Sequence, residues 1–130
     1  MTTADPFAVE MQTQPGPFDE LAPSDLEVIA SFGVTRTYPK YAVVISEGDE
    51  SQCLYVIRQG RIKVYVSDEQ GREVILNTLD PGEYFGELSL IDQAPRSASV
   101  MTLEPTKLQC VSGAAFQRCL KTNPELTAKL

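Results

Sequence analysis

The sequence has no histidine, no tryptophan and only three cysteines. Nor does it contain a strongly basic segment or an apolar run of the roughly 18 residues that a membrane-spanning helix needs. Each absence removes a class of function. Without histidine there is no Ser-His-Asp hydrolase and no histidine-ligated zinc, iron or haem. Cys53, Cys110 and Cys119 do not replace it, being an odd set without a CxxC pair. They are expected as buried free thiols, not as a disulfide or a metal site. Eleven Lys and Arg against eighteen Asp and Glu leave a net charge of −7, so this chain offers no basic stripe for nucleic acid. Its start, MTTADPFAVEMQ, lacks the basic residues and apolar block of a secretory signal. The expectation is a cytoplasmic protein with no membrane partner, no metal and no catalysis.

What is present is the composition of an ordinary globule. With 42% hydrophobic and 22% charged residues, the 130-residue chain can bury a single core. Residues 1–20, with Pro6, Pro15 and Pro17, read as a flexible N-terminal arm clipped to the domain through Phe18 and Leu21. Ser24-Asp25-Leu26-Glu27 fits a capping box, which predicts a helix over 24–32 with Leu26, Ile29, Ala30 and Phe32 on one face and Gly33 as its stop.

The period then changes. Short β-branched and aromatic runs at 34–38, 43–47, 53–58, 61–67, 73–79, 98–104 and 106–111 alternate with turn residues. Gly60 and Gly71 stand at hairpin tips, and Pro39 and Pro105 fall between runs. Such punctuation predicts a mainly β fold with flanking helices: an antiparallel, jelly-roll-like β-roll with an N-terminal helix and C-terminal helices. Ser112 caps a helix to about Lys121, and Asn123-Pro124 opens another. The expected division is an arm over 1–20, a β-roll domain over 21–122, and over 123–130 the start of a truncated helix. Leu126 and Leu130 form the beginning of an apolar stripe, and a frayed terminal turn is the alternative.

One stretch breaks the β rhythm. Gly86 precedes Glu87-Leu88-Ser89-Leu90-Ile91, whose apolar members are spaced for a single helical turn that Gln93-Ala94-Pro95 ends. A short helix opening at a glycine presents unpaired N–H groups to an anion. Arg96, ten residues beyond Gly86, can return to face it and pair with a phosphate. A triphosphate would ask for a P-loop lysine and metal carboxylates, neither of which is seen.

Phe85-Gly86-Glu87-Leu88-Ser89-Leu90-Ile91 followed by Pro95-Arg96-Ser97-Ala98-Ser99-Val100 resembles the phosphate-binding cassette of cyclic nucleotide-binding domains, of the catabolite activator and protein kinase A regulatory subunit type. Gly48-Asp49, Leu54-Tyr55-Val56-Ile57, Gly60 and Leu79-Asp80-Pro81-Gly82-Glu83 agree with that family's β-roll motifs, so the resemblance covers roughly residues 37–120. It implies that Arg96 binds the cyclic phosphate, that Glu87 accepts the ribose 2′-hydroxyl, and that the main chain at Gly86, Leu88, Ser89 and Ala98 lies against the ligand. By the same resemblance the Ser97 hydroxyl and N–H reach phosphate, while Val64, Leu79 and Leu76 or Asn77 line the nucleobase side. The implied ligand is cAMP first and cGMP second, with no other cofactor.

Blander readings stand beside these. Arg96 could neutralise Glu87 or Asp92, Glu87 could be a solvated acid, Gly86 a turn glycine and Ser97 an ordinary strand hydroxyl. Val64, Leu76 and Leu79 suit a core equally, and Tyr55 and Tyr84 suit packed aromatics. Two rival functions remain: a β-roll sensor of a transcription regulator answering to another small effector, and a non-binding interaction or dimerisation scaffold. The output is expected either as an intermolecular contact such as a homodimer or as a domain beyond Leu130.

Overall fold

The alternating runs close into two antiparallel four-stranded sheets. The computed structural model describes residues 18, 20–50, 52–86 and 95–130. In chain order they form α1 (Pro23–Ala30), β1 (Val34–Tyr38), β2 (Val43–Ile45), β3 (Cys53–Gln59), β4 (Ile62–Ser67), β5 (Glu73–Leu79), β6 (Tyr84–Phe85), β7 (Ser99–Thr102), β8 (Thr106–Ser112), α2 (Gly113–Thr122) and α3 (Pro124–Thr127). One sheet has the order β1-β8-β3-β6 and the other β2-β7-β4-β5. This is the predicted β-roll with flanking helices.

Side-chain alternation along β3 and β8 divides the interior in two. Tyr55 and Ile57 join Leu108 and Cys110 inside the roll, against Ile45, Ile62, Val64, Leu79, Phe85, Ala98 and Val100. Leu54, Val56 and Val111 point the other way, into a second cluster with Ile29, Ala30, Ala115, Phe116, Cys119 and Leu126 from the three helices. Both faces of β3 and β8 are therefore covered, whereas β1 at the sheet edge is largely exposed. That is why Leu54-Tyr55-Val56-Ile57 can be apolar without interruption, whereas a strand with one wet face alternates. Each such side chain, fully buried, contributes about 1.5–3 kcal/mol.

Several boundaries differ from the sequence expectation for local reasons. Pro23 occupies the first position of α1, where its missing N–H costs nothing, so the helix starts ahead of Ser24 and Ala22 is the capping residue. The Asp25 carboxylate accepts from the Ala22 N–H at 2.9 Å, while Glu27, expected in a capping box, forks onto Arg58 at 2.6 and 2.8 Å. The helix ends at Ala30 because Phe32 and Gly33 donate to Ile29 and Ala30 in a tight turn. β2 stops at Ile45 and β7 spans Ser99–Thr102, both shorter than their apolar runs. Tyr84–Phe85 is a strand that was not expected, formed by pairing with Tyr55 and Val56. Gly60 and Gly71 do take positive φ, and the Ser112 hydroxyl accepts from the Ala115 N–H, as expected.

Phe18 is buried against Tyr84 and Phe116, with ring centroids 5.7 and 5.8 Å away, and Leu21 packs beside it. Residues 1–17 and 19 of the expected arm lie outside the described residues. Leu126 of α3 is buried in the helical cluster, while Leu130, beyond the end of that helix, is exposed, so the first member of the expected stripe packs against this domain's own helices. Cys110 and Cys119 are buried free thiols, as expected, but Cys53 is only half-buried because it opens β3 at the rim of the roll. Among the described residues no helix is long and apolar enough to cross a membrane, and no group of three or more acidic or thiol side chains is placed to hold a metal.

Candidate functional site

The two halves of the predicted cassette flank an undescribed stretch. Glu87, Leu88 and Ser89 lie within 87–94, outside the described residues, as does the single helical turn expected there. The fold brings Phe85-Gly86 on one side up to Arg96-Ser97-Ala98 on the other, with Arg96 against Gly86.

Arg96 is 3% exposed, unusual for its residue type, and it sits where β6 ends and the chain enters β7. Its Nη2 donates to the Cys53 carbonyl at 2.7 Å and its Nη1 to the Gly86 carbonyl at 3.3 Å. Beneath it, Tyr55 and Phe85 stack with centroids 4.9 Å apart and planes within 8°. The guanidinium carbon lies 5.9 Å from the centre of the Tyr55 ring, a cation–π contact. Burial, reinforced by the neighbouring thiols of Cys53 and Cys110, pushes the Tyr55 phenol up to about 12, so it stays neutral beside the guanidinium. Gly86 has φ +85° and is buried. Its conformation and its closeness to Arg96 both require glycine.

The main chain of Arg96 is fixed as well. Its N–H donates to the Asp49 carbonyl at 2.7 Å, and its carbonyl accepts from the Gly48 N–H at 2.8 Å. The Ser97 hydroxyl oxygen is buried and has no hydrogen-bond partner among the described residues, a state that costs about 1–3 kcal/mol unless something fills it. Ala98 is fully buried in the interior cluster.

Of the residues expected on the nucleobase side, Val64 and Leu79 belong to the interior cluster and Leu76 packs against it. Asn77 is half-buried opposite Val64, and its side-chain carbonyl accepts from the Thr78 N–H at 2.8 Å. Leu76 stands at the register shift between the Val64–Asn77 and Tyr65–Ile75 pairs. All four thus lie on the β4–β5 hairpin in the sheet opposite Cys53 and Tyr55. Sequence reasoning missed Cys53, which acts through its carbonyl and leaves no side-chain signal. It also assigned no role to Gly48-Asp49, although it had singled the pair out as a motif.

The β-roll thus holds a buried arginine against a positive-φ glycine, next in sequence to a serine whose hydroxyl oxygen is buried, an arrangement of donors suited to a small anion. The chain belongs to the cyclic nucleotide-binding domain family, whose model matches residues 35–123. It is 37% identical over 91 residues to the cyclic AMP receptor protein of Thermus thermophilus, covering 70% of this chain and 42% of that one. The crystal structure of the Thermus thermophilus catabolite activator protein superposes with a TM-score of 0.74 at 31% identity, over 88% of this chain and 54% of the other. The cAMP-bound form of the EAL enzyme Bd1971 superposes with a TM-score of 0.62 at 36% identity, over 68% of this chain and 24% of the enzyme. A cGMP-bound form of the same enzyme matches with a TM-score of 0.61. The chain spans about half the length of the curated relatives it matches.

Proposed function

We propose that this domain is a non-catalytic sensor of a cyclic nucleotide monophosphate, cAMP ahead of cGMP, with residues 21–122 as the binding unit. The observation that carries the reading is the Ser97 hydroxyl, buried without a partner among the described residues and adjacent to the buried Arg96. A phosphate oxygen fits both: it accepts from the hydroxyl and from a guanidinium already oriented by two carbonyls. In this reading Gly86 and Ala98 face the phosphate through their main chain, with Leu88 and Ser89 completing the cradle. Glu87 accepts the ribose 2′-hydroxyl, and Val64, Leu76, Asn77 and Leu79 form the wall toward the base.

Support for placing cAMP first is a relative named a cyclic AMP receptor protein, while Bd1971 has been solved with either nucleotide. The response is read either by a second copy of this chain or by a further domain. Titration calorimetry with cAMP, cGMP and 5′-AMP tests the proposal. Binding of a cyclic nucleotide in preference to 5′-AMP is expected, with a raised melting temperature of about 2.7 kcal/mol equivalent at 100 times the Kd. Absence of binding by either cyclic nucleotide would leave the scaffold reading in its place.

A further inference from the structure

Both ends of Arg96 meet one short segment, from the turn after β2 to Cys53, the first residue of β3. Its guanidinium donates to the Cys53 carbonyl, and its main chain makes a reciprocal pair with Gly48 and Asp49. That pair is presented by a turn over 46–49 which is closed twice. The Asp49 N–H donates to the Ser46 carbonyl at 3.0 Å, and the Ser46 N–H donates to the Asp49 carboxylate at 2.9 Å. Gly48 takes φ +91° to aim its N–H at Arg96. The turn is also tied to β7, where the Glu47 N–H donates to the Ser99 hydroxyl at 2.8 Å, three residues beyond Arg96.

Asp49 is exposed, and a side chain at Gly48 would meet nothing within 4 Å. Neither residue contributes to a core. Their visible work is to hold the turn in the one shape that offers an N–H and a carbonyl to Arg96. We infer that Asp49 and Gly48 are positioning residues for the phosphate-binding arginine, acting through its main chain, an inference that rests on the proposed function. A carboxylate that ties off the turn locks the register of Arg96, and a guanidinium displaced by a fraction of an ångström no longer meets a phosphate with both nitrogens.

Gly71 supplies the control. It too has positive φ (+81°) with nothing within 4 Å of an added Cβ, but it sits at the tip of the β4–β5 hairpin. Gly48→Ala and Gly71→Ala therefore impose the same backbone strain, and only the first touches Arg96. We expect Asp49→Ala and Gly48→Ala to weaken cAMP binding about five- to tenfold, the equivalent of one lost hydrogen bond. Asp49→Asn keeps an acceptor for the Ser46 N–H and should restore most of the affinity. Gly71→Ala should lower the melting temperature as Gly48→Ala does and leave affinity unchanged.

Equal affinities for Gly48→Ala and Gly71→Ala overturn the inference, as does an Asp49→Ala protein that binds like the wild type. A ligand-free readout separates this from the functional reading. Hydrogen exchange at the Arg96 amide should accelerate in Asp49→Ala and Gly48→Ala but not in Gly71→Ala. Should the wild type bind no cyclic nucleotide, the functional reading falls, and the exchange rates still decide whether the turn holds Arg96.

Discussion

Arg96 fills the space that a side chain at Gly86 would need: a Cβ there would lie 2.5 Å from Arg96 Nη1 and 2.8 Å from the Cys53 carbonyl oxygen. Positions 86 and 96 are thus a matched pair, the one empty because the other is large.

Gly86→Ala should disturb the site twice, through the left-handed backbone at φ +85° and through displacement of the guanidinium. The strain alone costs about 1–2 kcal/mol. Thermal unfolding of the ligand-free variant is expected to show that loss, and titration a further fall in nucleotide affinity. A variant with wild-type melting and wild-type affinity would disprove the steric coupling.

Arg96→Ala should weaken cAMP binding by roughly 30-fold to several thousandfold, the range for truncating one partner of a buried charge-assisted pair worth about 2–5 kcal/mol. Arg96→Lys keeps a positive charge but not the fork that spans the Cys53 and Gly86 carbonyls, so it should recover only part of the loss. Calorimetry on both variants is the measurement, and equal affinity for wild type and Arg96→Ala removes Arg96 from the site.

Acid should loosen the helical layer and the β4–β5 tip. Hydrogen bonds from Lys129 and the Ala22 amide hold Asp25 below the usual carboxylate range, Arg58 does so for Glu27, and the main chain and side chain of Arg72 do so for Asp68. A carboxylate depressed in the folded state adds stability that is complete above its unfolded pKa and lost as pH falls through the folded one. The loss therefore begins below about pH 4.5 for Glu27 and about 3.8 for the two aspartates. Melting temperatures from pH 5 to pH 2.5 should fall less steeply for Glu27→Gln than for the wild type, and added salt should narrow the gap. Parallel profiles for the two proteins would contradict the role given to the Arg58–Glu27 pair.

Burial pushes the Cys110 thiol up to about 11, which leaves about one part in a thousand as thiolate at pH 8. Iodoacetamide should leave Cys110 unmodified in the native protein and alkylate it in urea, as peptide mass spectrometry will report. Rapid native alkylation would show that the roll opens at β8.

Long elements were legible because their period is repeated: seven strands of three to seven residues emerged from alternating runs with turn residues between them. β6 was not, since two residues carry no period and Tyr84–Phe85 is a strand only because β3 lies alongside. At α1 two start signals competed one residue apart, and the proline prevailed over Ser24. The site divided in the same way. Gly86 and Arg96 were legible as candidates from residue type and spacing, and Ser97 from the family resemblance alone. Cys53 and Asp49 meet Arg96 through main-chain carbonyls, which every residue possesses, so the contacts themselves leave no mark in the sequence, although the Asp49 carboxylate shapes the turn that presents one of them.

The two hydrophobic clusters share no side chain. Among the described residues, the helices pack on side chains of β3 and β8 that point away from the roll, while the side chains that line the roll alternate with them along the same two strands. Recognition and response are thereby free to diverge separately: a lineage can graft the same chamber onto different effectors, and any message that crosses β3 or β8 must travel as a shift of backbone rather than as a push of one side chain on the next.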